Sequence, residues 1–246
     1  MESAVKLSGW GRHPVAECTT EDIRCETDLT EALAAEPAPM IARGNRRSYG
    51  DSAVQPSGTL QMLRLNRMLS FDHSTGIVVV EAGVLLGEIV DVFLRRGWFL
   101  PVTPGTKFAS VGGSVAADVH GKNHHKHGSI GNFIEWIDLV TPDGQIRRLS
   151  ETENPELFAW TIGGMGLTGV ILRVALRLVP VETGWMRQVT YAAPNLATAM
   201  DLFESGADAT YSVAWIDCLA KGDRAGRSLV MMAEHARLDE LGPAQL

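Results

Sequence analysis

The sequence predicts an α+β fold, and three observations carry that expectation. Short β-branched or apolar runs are interleaved with helical patterns but without the regular βα rhythm of a doubly wound sheet. Gly, Pro, Asn or Asp bounds nearly every run. The chain has 246 residues and is 45% apolar, long and apolar enough for one large domain plus part of another.

From the N-terminus, Thr20 to Ala35 opens with Thr20, Glu21 and Asp22 and carries Ile23, Leu29, Ala32 and Leu33, which predicts a helix. Met40 to Ala42 predicts a short strand entering the loop Arg43 to Ser52. Thr59 to Leu63 and Ile77 to Glu81 are β-branched or apolar runs between turn residues, hence strands. Leu85 to Arg96 places Leu86, Ile89, Val90, Val92, Phe93 and Leu94 at helical spacing and stops at Gly97. Phe133 to Thr141 and Gln145 to Leu149 flank Pro142-Asp143-Gly144, a hairpin signal. Pro155, suited to a first helical turn, opens a helix through Ile162, and Val170 to Val179 follows as a strand. Beyond Pro180 the pattern is strand, helix (Leu196 to Phe203) and two strands (Tyr211 to Ile216 and Arg227 to Met232), then a helix-like Ala233 to Leu241. A domain boundary is expected between Val179 and Gly184, giving units 1–180 and 181–246.

Composition narrows function. With 25 Gly, 11 Pro and 21% charged residues, the chain is neither disordered, collagenous nor coiled coil. Its net charge of −7 argues against sequence-independent nucleic-acid binding, which needs a basic footprint. Glu81, Arg173 and Arg177 interrupt the longest apolar runs, so no membrane span is expected. The start, Met1 to Lys6, lacks the apolar core of a secretory signal, and a cytoplasmic location is expected. Cys18, Cys25 and Cys218 form no metal or redox pattern.

Four segments are candidates for chemistry. Gly164-Met165-Gly166-Leu167-Thr168-Gly169 matches the G-x-G-x-x-G dinucleotide fingerprint, which requires a strand before it and a helix after it. Here the order is reversed, so a tight helix-to-strand turn is expected. Arg43 to Ser52 joins flexible backbone to three arginines, a pattern that makes an anion-binding concavity or a solvated basic loop. Pro104-Gly105-Thr106 and Ser110 to Asp118 are dominated by small side chains, which let a flat ligand lie on backbone or let helices pack closely. His120 to His127 holds four of the seven histidines, yet its two lysines and the absence of Cys or carboxylate disfavour a metal site. A polar pocket edge contacting a cofactor or an anionic substrate fits that mixture better.

Taken together, these strings resemble the FAD-binding oxidoreductases of the vanillyl-alcohol oxidase type, with their PCMH-type flavin domain. The resemblance rests on Gly9-Trp10-Gly11, Arg43-Gly44 with Arg47-Ser48-Tyr49-Gly50-Asp51, and Pro104-Gly105-Thr106. It continues through Val111-Gly112-Gly113, Asp118 to His125, Gly128 to Asn132, Gly163-Gly164, Gly166 to Gly169 and Tyr211-Ser212 with Ala214-Trp215. It implies a two-subdomain FAD-binding domain over 1–180, followed by the start of a truncated α+β substrate (cap) domain.

The resemblance also implies residue roles. Ala42, Arg43, Gly44, Asn45, Arg46, Arg47, Ser48, Tyr49, Gly50, Asp51 and Ser52 would hold the FAD pyrophosphate. Gly105, Ser110, Val111, Gly112, Gly113, Ala117, Asp118, Val119, His120 and Ile171 would line the remaining cofactor, while His120 and Lys122 would face flavin and substrate. FAD would be non-covalent, since Arg43 to Ser52 contains neither His nor Cys. Arg46 departs from the family, which carries Gly there. The implied reaction is oxidation of a secondary hydroxyl on a prenylphosphoryl ribose, the first step of arabinan-precursor epimerisation, with hydride passing to flavin N5. A short-chain reductase would be the partner, and the lipid substrate would bring peripheral membrane association, with the cell-envelope side as the alternative location. Other expectations are a flavin oxidase of another sugar or alditol, and a non-catalytic FAD-binding fragment. Family members run on to complete the substrate domain with a lysine and a tyrosine near the flavin. This chain alone is therefore expected not to turn over, and to self-associate through exposed Val213, Trp215 and Leu229 to Met232.

Overall fold

The computed structural model describes residues 4–35 and 39–244. A hairpin of β1 (Val5–Ser8) and β2 (Val15–Cys18) comes first. Then β3 (Thr20–Asp22), helix α1 (Glu26–Ala35), β4 (Ile41–Arg43) and β5 (Thr59–Gln61) form a small parallel sheet in the order β3-β5-β4, with α1 packed on it. After β6 (Met68–Asp72) and β7 (Ile77–Glu81), helix α2 (Leu86–Phe93) runs through a 3-10 turn to Gly97, whose φ of 82° suits a residue without Cβ. The short β8 (Trp98–Phe99) leads to helices α3 (Val111–Ala116) and α4 (His124–His127), the hairpin of β9 (Ile134–Val140) and β10 (Ile146–Leu149), and helix α5 (Pro155–Thr161). Strands β11 (Val170–Arg177) and β12 (Val179–Pro180) precede a last unit of β13 (Met186–Ala193), α6 (Leu196–Ser205), β14 (Tyr211–Ile216) and β15 (Ser228–His235).

The central sheet is antiparallel, in the order β10-β9-β11-β7-β6. Its inner face carries Val78, Val80, Ile137, Leu139, Val174 and Leu176 against α2, α3 and α5, forming the larger core. A register shift in β11 between Ile171 and Arg173 lets Leu172, with Val170 and Val140, serve a second core under α1 instead. Between the cores, Asp138 (3% exposed) accepts from Arg148 and Arg173, and Arg173 also pairs with Glu26, tying α1 to the sheet.

The carboxylate of Glu81, 1% exposed, accepts three hydrogen bonds from Arg67, one backbone and two guanidinium. Arg67→Ala leaves that carboxylate with the backbone bond alone. Breaking a fully buried pair costs about 3–5 kcal/mol, but the Arg67 side chain is 68% exposed. The expected loss is therefore about 1–2 kcal/mol, read as a lower urea midpoint with unchanged m-value.

The last unit is an antiparallel sheet in the order β13-β15-β14, with α6 covering Ala193, Val230 and Met232. It meets the rest of the chain at the histidine-rich segment. Ser212 N donates to Lys122 O at 2.9 Å, Lys126 Nζ donates to Asp208 O at 2.6 Å, and a ring nitrogen of His125 lies 2.9 Å from Ala209 O.

Several expectations change. Thr20–Asp22 is a strand rather than the start of a helix, because it pairs with Thr59–Gln61; α1 begins at Glu26. The Ala233 to Leu241 helix is absent. Strand β15 continues to His235, since β13 and β14 pair along it from both sides, and residues 238–240 form only a 3-10 turn. For the same reason β15 is the middle strand, and Val230 and Met232, expected to be exposed, are buried under α6. Trp215 (70% exposed) and Leu229 (45%) are open to solvent. Met1, Glu2 and Ser3 of the segment read for a secretory signal, with the terminal Gln245 and Leu246, lie outside the described residues. No helix among the described residues is long and apolar enough to cross a membrane.

Candidate cofactor site

Two adjoining cavities run between the 43–53 loop and α3, about 500 Å³ and about 70 Å³. Gly44, Ser48, Ser52, Ser110, Gly113 and Ala117 line both. Asn45, Arg46, Arg47, Tyr49, Gly105 and Val119 line the larger, whereas Ala42, Gly112 and Ile171 line the smaller. Trp10 and Met165 join them, two lining residues that local pattern did not single out for the site. The G-x-G-x-x-G segment is a turn between α5 and β11, with Met165 and Gly166 at φ 54° and 80°. It closes the smaller cavity through Met165, Gly166 and Gly169.

The loop's chemistry lies in its backbone. Among the described residues, the N–H groups from Gly44 to Ser52 donate to no protein acceptor. Its carbonyls, in contrast, are used: Ser48 O accepts from Trp10 N, and Asp51 O from Val54 N. A run of free donors beside two exposed arginines, Arg46 and Arg47, is a concavity for an anion. Gly9 sets how closely the first hairpin approaches, since a Cβ there would meet Gly50 O at 2.2 Å.

Arg43 departs from its sequence neighbours. It is 1% exposed, and its guanidinium donates to Ser8 O (2.6 Å) and Ala53 O (3.0 Å), clamping the loop to the hairpin. Its Nε has no partner. Burial first, and then the Arg46 charge, push its pKa below the usual arginine value. A buried cation with only neutral acceptors favours an anion nearby, but Arg43 lines neither cofactor cavity.

At α3 the pattern reverses. Val111 N and Gly112 N donate to Val84 O and Ala82 O, and Gly113 N to Ser110 Oγ, so this helix start offers small surface rather than donors. Val111 is buried in the core instead of lining the cleft. Asp118 accepts from Gly131 N, turning the chain toward the histidines. Gly50 and Asp51 are exposed beside the cavities without lining them. The lining ends at Val119; His120 and Lys122 follow as exposed side chains, with the His120 and His124 rings 5.0 Å apart. No group of three or more His, Cys, Asp or Glu that could hold a metal occurs among the described residues. Asn123, fully buried, donates to Pro101 O at 2.7 Å and fixes this segment to the irregular stretch after β8 that leads to Gly105.

Arg46 sits at φ 58°, the left-handed region that favours glycine. Arg46→Gly removes a left-handed cost of roughly 1–2 kcal/mol and adds glycine's entropic cost of roughly 0.5–1 kcal/mol. The melting temperature is therefore expected to move little, while FAD affinity falls with the lost cation.

A family model described as an FAD binding domain matches residues 24–150. The chain is 36% identical, over 98% of its length, to decaprenylphosphoryl-beta-D-ribose oxidase of Mycolicibacterium smegmatis, covering 54% of that protein. It is 31% identical to L-gulonolactone oxidase of Bos taurus (72% of this chain, 41% of that one) and 28% identical to D-lactate dehydrogenase of Anaerostipes hadrus (65% and 36%). The chain thus spans about half the length of the first of these relatives, and less of the others. The free N–H row, its arginines and the small-residue wall fit a flavin dinucleotide, and the chain belongs to the FAD-binding oxidoreductase family, with FAD as its cofactor.

Proposed function

We propose that this chain provides the flavin-binding part of an oxidoreductase that oxidises a secondary hydroxyl of a prenylphosphoryl ribose. The observation that carries this is 36% identity along 98% of the chain to an oxidase of a decaprenylphosphoryl ribose, on a cleft built for FAD. Residues 1–180 form the FAD-binding domain, and 181–246 begin a substrate domain.

The chemistry bound FAD supplies is acceptance of a hydride from the carbinol carbon. The chain's own residues bind and orient. The N–H groups of Gly44 to Tyr49 and of Ser52, with Arg47, would hold the pyrophosphate, and Gly113, Ala117 and Val119 would give the flat surface beyond it. His120 takes the hydroxyl proton, and Lys122 holds a fixed positive charge beside the site. The carbonyl of Lys122, bonded to Ser212 N, sets that segment against the substrate unit. The product ketone passes to a reductase of the short-chain type.

No His or Cys lies in the loop, so FAD is held without a covalent bond. Acid precipitation is expected to release all the yellow colour; colour kept in the pellet would contradict this. To test the substrate class, FAD-loaded chain is mixed anaerobically with a prenylphosphoryl ribose. A shift of the flavin band on adding this substrate is expected. A larger shift with D-lactate or L-gulonolactone would move the substrate assignment.

A further inference from the structure

Beside the cofactor cleft lies a second hollow of about 580 Å³, between the first hairpin and the 43–47 segment. Five cations line it: Lys6, Arg12, Arg43, Arg46 and Arg47. Lys6 and Arg12 do not line the cofactor cleft. No Asp or Glu lines the hollow, and the one carboxylate paired with any of the five is Glu17, 3.9 Å from Lys6, among the described residues. Arg12 and Arg46 form no ion pair among the described residues, and the buried Nε of Arg43 has no partner. In a chain of net charge −7, five cations with a single paired carboxylate are a local reversal of sign. Like charges this close destabilise the fold unless an anion joins them.

We infer that this hollow is a second anion site, separate from the cofactor's pyrophosphate seat, that takes a phosphate-bearing group. Arg46 and Arg47 stand on the shared wall and Lys6 and Arg12 on the far side, so the two sites can be filled together. Arg guanidinium forks suit phosphate oxygens, and Lys6 adds a point charge.

The test titrates inorganic pyrophosphate into the full chain by calorimetry at low salt, with and without saturating FAD. Binding that persists on the FAD-loaded chain is expected. In Lys6→Glu/Arg12→Glu it should weaken at least about tenfold, since two cations lining the hollow become carboxylates that repel the anion, while FAD affinity stays unchanged. A milder Lys6→Gln/Arg12→Gln pair guards against a folding defect, and circular dichroism checks both. Loss of pyrophosphate binding on FAD saturation would show that the hollow is only the cofactor's own seat. Unchanged binding in both double variants would equally overturn the inference. Should the chain take up no FAD, the reading of function fails, yet the Lys6/Arg12 dependence still decides the anion site. Co-sedimentation with phosphatidic acid vesicles, but not phosphatidylcholine vesicles, would assign the phosphate to a lipid headgroup; pyrophosphate binding without sedimentation would assign it to a free anion.

Discussion

Gly112→Val is expected to destabilise the flavin-binding part of the chain strongly, and its neighbour Gly113→Val to leave the fold and lose the cofactor. The two glycines are adjacent in α3 but face different things. A Cβ on Gly112 would lie 2.7 Å from Ala82 Cβ and 3.2 Å from Ala82 O, at the end of β7, where backbone cannot retreat. Gly112 N also donates to that carbonyl, so the close approach is fixed from both sides. Overpacking of this kind costs about 3 kcal/mol, a large part of a domain's stability. A Cβ on Gly113 would meet only Ser110 Oγ, at 3.1 Å, and Gly113 lines both cofactor cavities. There a valine fills the cleft, and FAD binding should weaken tenfold or more, about 1.4 kcal/mol. Thermal melting separates the pair: a large drop for Gly112→Val, a small one for Gly113→Val. Equal melting points would contradict the assignment of Gly112 to packing.

Arg47→Ala is expected to weaken FAD by about 1.5–3 kcal/mol, the range for a hydrogen bond to a charged group, or roughly tenfold to more than a hundredfold in Kd. Arg47 is exposed, lines the larger cavity, and has its guanidinium carbon 5.4 Å from the Phe108 ring centroid, which holds it beside the free N–H row. Arg47→Lys keeps the charge but loses the fork and the flat stacking, so it should recover only part of the affinity. Melting temperature should hardly change in either variant. Fluorescence titration of apo-protein with FAD checks this, and unchanged affinity in Arg47→Ala would favour a merely solvated loop.

Where local chemistry repeats along the chain, the fold could be read from it. The run Ile77 to Glu81 is a strand end to end, and Gly97 ends its helix with a positive φ. Tyr211 to Ile216 also has the bounds its pattern implies. Other elements carry no such signal. Three residues of β3 are too few to show a period, and Thr20-Glu21-Asp22 is also an acceptable helix start. No residue of strand β6 is buried, and the β1–β2 hairpin turns at Trp10 to Pro14 without Asn-Gly or Asp-Gly. The site shows the same division. Glycine and arginine content makes the 43–52 loop a candidate anion cradle or a solvated basic loop, but composition cannot say which arginine turns inward. Arg43 does, because Ser8 O and Ala53 O converge on it from distant parts of the chain. Nor could sequence show that Val111 and Gly112 spend their N–H groups on Val84 and Ala82, since that depends on where β7 ends.

The central claim is that the cleft between the 43–53 loop and α3 holds FAD. Reconstitution of the purified chain with FAD, followed by gel filtration and an absorption spectrum, tests it most directly. We predict flavin bands that co-elute with the protein at one FAD per chain and fall by at least tenfold in Arg47→Ala at limiting FAD. A wild-type chain that elutes folded and colourless after saturation with FAD would contradict it.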